Sequence, residues 1–149
     1  MKVCAFTGHR NLAGTDFDEH LLERVVADLV KTGTTRFLCG MAVGFDMKAA
    51  QAVLALKGKY DIQLVACLPC ENQSERFSEK NKSLYNEILG KCDEVIVLEK
   101  EYVSGCMQRR DRYLVDNCDV LVCFLRKSSG GTHYTVKYAR KENKKIIEI

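Results

Sequence analysis

Two hydrophobic rhythms alternate along this chain. Short apolar runs at Val3–Phe6, Phe37–Cys39, Ile62–Leu68, Val95–Leu98, Val120–Leu125 and Ile146–Ile149 read as six strands. The unbroken run Ile62–Leu68 is what a strand covered on both faces looks like. Between the runs, apolar residues recur at helical spacing. Phe17, Leu21, Leu22, Val25, Val26, Leu29 and Val30 predict a first helix, with Asp16 and Glu19 as a capping box and Gly33 as a stop. Ala49, Ala50, Val53, Leu54 and Leu56 mark a second, and Phe77, Leu84, Tyr85, Ile88 and Leu89 a third. A fourth covers Cys106–Asn117, and Val136, Tyr138 and Ala139 lie on a fifth. Strands joined by helices need crossover connections, which are right-handed in nearly all cases. The expected class is α/β: a Rossmann-like open parallel sheet of five to six strands with helices on both faces, in three α/β/α layers. No long linker, repeat or low-complexity segment interrupts residues 1–149, which read as one domain.

In such a sheet, ligands bind beyond the carboxyl ends of the strands, at the switch point in strand order. The informative residues are therefore those that follow each strand. After strand one comes Gly8-His9-Arg10. The glycine permits close approach of backbone, and the arginine offers a fork of donors suited to phosphate. His9 is either a ligand contact or a loop histidine bonded to backbone. After strand two, Gly40 and Gly44 stand four apart before Asp46 in the first turn of a helix. Asp46 either favours the helix dipole or accepts ribose hydroxyls. After strand five, Gly130-Gly131-Thr132 opens a helix, as an ordinary turn or as an anion site. Arg109-Arg110-Asp111-Arg112 is not an amphipathic pattern; it is a solvated face or a source of counter-charge.

Charge and cysteines sharpen the picture. The net charge is +3, but residues 107–149 carry 10 Lys+Arg against 5 Asp+Glu. A basic final third favours an anionic partner, although Arg140, Lys141, Lys144 and Lys145 read as a solvated face. Of eight cysteines, Cys4, Cys39, Cys67 and Cys123 sit in apolar strand runs, where cysteine acts as a small hydrophobe. Cys67 and Cys70 have CxxC spacing without a second pair, so neither a metal nor a redox role is expected. Free thiols, no signal peptide before the first strand and no membrane-length apolar run together imply a cytoplasmic protein with no membrane partner. Hydrolase, Walker and HExxH motifs are absent from the sequence.

Taken in order, Phe6-Thr7-Gly8-His9-Arg10, Gly40-x3-Gly44-x-Asp46-x2-Ala49-Ala50, Arg110-Asp111-Arg112 through Asp116, and Gly130-Gly131-Thr132 resemble the YpsA-like family of the SLOG (DprA/lonely-guy) superfamily. The resemblance implies a nucleotide-derived ligand over the strand ends, such as ADP-ribose or NAD. It implies Gly8, His9, Arg10, Gly40, Gly44, Asp46, Arg110, Arg112, Gly130, Gly131 and Thr132 as ligand-binding positions. Where the DprA branch has Arg-Asn-Arg, this chain has Asp111 in the middle and so lacks an amide donor. The enzymatic branch carries a glutamate shortly after its glycine turn, whereas the next acid here is Glu142. A binding or sensor domain for a nucleotide derivative is therefore expected first. A phosphoribohydrolase-like enzyme is the alternative, with a DprA-like single-stranded-DNA module after it. The reading leaves a homo-oligomer open.

Overall fold

The computed structural model describes residues 2–149. The chain runs β1 (Lys2–Gly8), α1 (Glu19–Lys31), β2 (Thr34–Cys39), α2 (Phe45–Lys57), β3 (Gln63–Leu68), α3 (Glu79–Lys91), β4 (Glu94–Val97), α4 (Cys106–Asp116), β5 (Val120–Phe124), α5 (Gly131–Lys141) and β6 (Lys145–Glu148). The six strands form one sheet in the order β4-β3-β2-β1-β5-β6, every neighbouring pair parallel. The expected α/β three-layer architecture is what the chain adopts. No described helix is long and apolar enough to cross a membrane.

Strand order reverses between β1 and β5. Crossovers of one handedness then put helices on opposite faces either side of that point. One core layer joins Leu22, Val26, Phe45, Val53, Tyr85 and Ile88 from α1–α3 to Cys4, Phe6, Phe37 and Phe124 of the sheet. The other joins Leu114, Val115, Val136 and Ala139 from α4 and α5 to Ala5, Leu38, Val65 and Leu121. The alternation Cys4, Ala5, Phe6 shows the period of two, consecutive residues serving opposite layers. Both faces are covered, so β5 is buried throughout, β3 at all but Gln63, and β1 along its central run Cys4–Thr7.

The first helix starts later than the capping-box pattern suggests. Asp18 is its N-cap, accepting from the backbone N–H of His20 and Leu21 at 3.0 and 3.3 Å. Asp16 instead accepts from the Arg126 guanidinium at 2.8 and 3.3 Å. Two acids two residues apart offer the same local signal, and a partner 110 positions away decides between them.

Candidate functional site

The carboxyl ends of β1 and β5 lie side by side, with Gly8 level with Phe124. Between them and the starts of α2, α4 and α5 opens a cleft of about 440 Å³. Gly8, His9, Arg10, Asp46, Arg110, Gly130, Gly131 and Thr132 line it. Of the remaining sequence candidates, Gly40, Gly44 and Arg112 are not on its wall.

Three glycines shape this end of the sheet by letting chain segments touch. A Cβ on Gly8 would lie 2.2 Å from the Phe45 ring. Gly44 has φ +83°, and its Cβ would lie 2.2 Å from the Arg10 carbonyl oxygen. That approach lets Phe45 N–H donate to His9 O at 3.1 Å. A Cβ on Gly40 would meet the Arg110 guanidinium at 2.8 Å. Arg112 points away from the cleft and donates to the Tyr134 hydroxyl at 2.8 Å.

Arg110 is only 4% exposed, unlike a solvated charge. Its Nε donates to Asp111 Oδ1 at 3.0 Å, and one terminal nitrogen donates to the carbonyls of Gly40 and Cys67. Burial disfavours its charge, yet Asp111 and Asp46 hold its pKa above the usual value. Arg110 thus ties α4 to the ends of β2 and β3 and sets a fixed positive charge under the cleft floor. Asp111 also lines the cleft, with Oδ2 3.9 Å from the Cβ position of Gly131.

Asp46 is buried at the start of α2. Its Oδ2 accepts the Ala42 N–H at 3.2 Å, and its Oδ1 is buried with no hydrogen-bond partner. Burial pushes its carboxyl up to about 6, against the pull of Arg110 and the Ala42 N–H. An unmatched buried carboxylate oxygen costs free energy unless a donor arrives. Beside it, Met41 is fully buried in the left-handed region at φ 61°, an unfavourable conformation for a side chain of its size.

Across the cleft, α5 begins at Gly131 behind Gly130, which has φ +94° and no side chain capping the helix. The first-turn N–H groups of α5 have no intrahelical partners and face the cleft with the positive end of the helix dipole. Thr135 Oγ1 bonds back to Gly131 O at 2.8 Å and steadies that turn. The exposed Arg10 and Lys127 add positive charge at the rim.

His9 braces the switch point. Its Nε2 accepts the Arg126 N–H at 2.7 Å, joining the β1 and β5 ends. A backbone N–H can only donate, so Nε2 is deprotonated and the ring is neutral. Burial, with Lys127 and Arg126 nearby, lowers its pKa below the usual 6.5. Because the folded pKa lies below the unfolded one, the contribution to stability is complete above pH 6.5 and lost as pH falls through the folded value. Wild-type stability relative to His9→Gln is therefore expected to be constant from pH 7 to 8 and to shrink towards pH 5, in urea titrations of both proteins. An unchanged difference at pH 5 would show that the His9 proton is not coupled to folding.

Asp111 and Lys127 join the cleft wall without having been expected there, and so does Ser129 from the hydroxyl-rich segment before the glycine turn. Lys127 and Ser129 directly precede the glycine turn, which was their only signal. Cys67 and Cys70 are buried free thiols, and the described residues contain no group of three His, Cys, Asp or Glu able to hold a metal.

Comparison with known proteins agrees with this architecture. A UPF0398 protein of Halalkalibacterium halodurans is 28% identical over 154 residues, covering 95% of this chain and 82% of the relative. The single-stranded-DNA-binding DNA processing protein A of Helicobacter pylori superposes with a TM-score of 0.72 at 19% identity, over 99% of this chain and 64% of that one. This chain thus spans under two-thirds of that protein. The molybdenum cofactor carrier protein of Chlamydomonas reinhardtii superposes with a TM-score of 0.65 at 17% identity, over 99% of this chain and 76% of that one. At these identities the two structures share the fold. The family model for YpsA, the YspA SLOG family, matches residues 7–148, nearly the whole chain, and the chain belongs to that family.

Proposed function

We propose that this domain binds a phosphorylated ribonucleoside derivative in the cleft between β1 and β5 as a cytoplasmic binding or sensor module. The observation that carries the reading is the unpartnered, buried Oδ1 of Asp46, a residue that lines one cleft together with the uncapped start of α5. A carboxylate oxygen lacking a donor suits a ribose hydroxyl. Free N–H groups at a helix start suit a phosphate. Arg10 and Lys127 supply counter-charge from the rim. The two halves of a ribose phosphate then satisfy groups that the fold leaves open. Eight free cysteines, mostly buried, fit a reducing compartment.

Thermal shift across AMP, ADP-ribose, NAD, cyclic nucleotides and short single-stranded DNA tests the reading. A ligand at a hundredfold excess over its Kd raises stability by about 2.7 kcal/mol. Gly131→Val is the sharp variant. Its Cβ would meet nothing closer than Asp111 Oδ2 at 3.9 Å, and residue 131 is not in the left-handed region. The fold should tolerate valine within about 1 kcal/mol, as at most surface sites. Nucleotide binding should fall below detection, since branched methyls cover the N–H groups of the α5 start. Normal affinity in Gly131→Val would place the phosphate elsewhere.

A hydrolytic reading has one observation of its own: the carboxyl of Asp46, pushed up to about 6 and so poised near neutral pH for proton transfer. Adenine released from AMP by the wild type and not by Asp46→Asn would replace the binding reading with a phosphoribohydrolase. A DprA-like role instead requires tight oligothymidylate binding with a steep salt dependence.

A further inference from the structure

Beside the cleft, the segments that follow β3 and β4 enclose a second cavity of about 730 Å³. Arg10, Ala42 and Met107 line both, so the two form one trough with Arg10 at the join. Their chemistry differs. The cleft offers backbone N–H groups and a carboxylate; the second cavity offers the rings of Phe77 and Tyr102 and the amides of Gln73 and Asn81. Tyr102 is 63% exposed. Its backbone is nonetheless fixed, since its N–H donates to Asn72 Oδ1 at 3.1 Å while the Asn72 amide donates to Glu75 at 3.1 Å. Glu71 N–H reaches the carbonyls of Glu99 and Lys100 and ties the same two segments together. Gln73 donates to Gly40 O at 3.0 Å, the carbonyl that also holds Arg110, so this wall is anchored to the cleft floor. An aromatic side chain held out in water at the mouth of a polar trough is a stacking surface for a planar ring.

We propose that the second cavity holds a nucleobase, and that the ligand is a two-part molecule: a ribose phosphate in the cleft, a nucleoside in the second cavity, and a pyrophosphate beside Arg10 joining them. The proposal rests on the reading of the cleft given above and adds a nucleoside half in the second cavity. Arg10 is the one cation lining both cavities, and its fork of donors matches adjacent phosphate oxygens. Phe77 and Tyr102 take the base by stacking, with Asn81 beside it for its polar edge.

Calorimetry with ribose 5-phosphate, which fits the cleft alone, and ADP-ribose, which fits the whole trough, separates the two claims. ADP-ribose is expected to bind at least about tenfold more tightly, the scale of one base–aromatic stack. Tyr102→Ala is expected to remove about that tenfold for ADP-ribose and to leave ribose 5-phosphate unchanged. Its melting temperature should stay at the wild-type value, because the side chain is mostly in solvent. Equal affinities for the two ligands, or an ADP-ribose affinity indifferent to Tyr102→Ala, would overturn the base site while ribose 5-phosphate binding kept the cleft reading intact. If neither ligand binds the wild type, both readings fall. If oligothymidylate binds more tightly than ADP-ribose and depends on Tyr102, the stacking surface serves a strand and the two-part small ligand is overturned.

Discussion

Asp46→Asn is expected to raise the melting temperature at pH 7.5 and to weaken ribonucleotide binding at least tenfold. Both effects have one cause. In the free protein Asp46 is buried, one oxygen bonded to Ala42 N–H and the other unmatched, and its carboxyl is pushed from 3.8 to about 6. With the folded pKa above the unfolded one, the contribution to stability is complete below pH 3.8 and lost as pH rises through about 6. At pH 7.5 the ionised group opposes folding by up to about 3 kcal/mol, since each tenfold change in proton affinity corresponds to about 1.36 kcal/mol. Asparagine cannot ionise and avoids this. At roughly 2–4 °C per kcal/mol for a chain of this size, the gain is several degrees. It should shrink as pH falls through about 6 and vanish only below pH 3.8, where the carboxyl is protonated in the folded and unfolded chains alike. Binding moves the other way. The asparagine oxygen must still accept from Ala42 N–H, which turns its NH2 group towards the cleft, where a ribose hydroxyl then meets a donor. A hydrogen bond to a charged group is worth about 1.5–3 kcal/mol, and its loss is tenfold or more in affinity. Inorganic phosphate, with no hydroxyl for Asp46, should bind as before. A gain over the wild type that is no larger at pH 7.5 than at pH 4.5 would show that the carboxylate is satisfied in the free protein.

Gly44→Ala is expected to destabilise the fold by more than about 3 kcal/mol, among the larger effects a single substitution has. Two terms add. Residue 44 has φ +83°, where a Cβ costs roughly 1–2 kcal/mol. The same Cβ would stand 2.2 Å from Arg10 O and 2.7 Å from His9 O. These are backbone atoms of the β1 end, which cannot rotate aside as a side chain does. Relief would require separating the segments joined by Phe45 N–H to His9 O. That movement would lift Phe45 from its aromatic contacts with Phe6, Phe17 and Phe124, at centroid distances of 5.9 to 6.4 Å. Urea unfolding of Gly44→Ala beside Gly131→Val makes the contrast: both are glycines after strands, but only the first should move the midpoint strongly. Equal midpoints would mean that the 44–45 segment yields freely.

The contrast shows where a sequence reading stops. The alternation of strand and helix was legible because burial on both faces of a parallel sheet demands continuous apolar runs, and amphipathic helices demand a spacing of three and four. That the residues after β1, β2 and β5 deserve attention was legible too, since a parallel sheet gathers its strand ends on one side. Asp46 was legible as one of two things, a ribose acceptor or an acid favouring the helix dipole, and the first turn of a helix by itself does not separate them. Which glycine faces a ligand and which faces the chain was not. Gly8, Gly40 and Gly44 are small because Phe45, Arg110 and the Arg10 carbonyl occupy their space, whereas Gly131 has open space before it. Arg110 and Arg112 look alike as neighbours in a charged run, yet one is buried against a carbonyl 70 positions away and the other bonds a tyrosine on α5. The second cavity left no mark on the sequence, because residues 70–81 and Tyr102 meet Arg10 only after the sheet is assembled. Periodicity is a property of each segment with its own neighbours, so the amino-acid sequence by itself determined the elements, the fold class and the end of the sheet that could bind. The partners of each polar group depend on the strand order β4-β3-β2-β1-β5-β6, which sets β1 beside β5 and Arg126 beside His9 across 117 residues, and only the tertiary structure decided those.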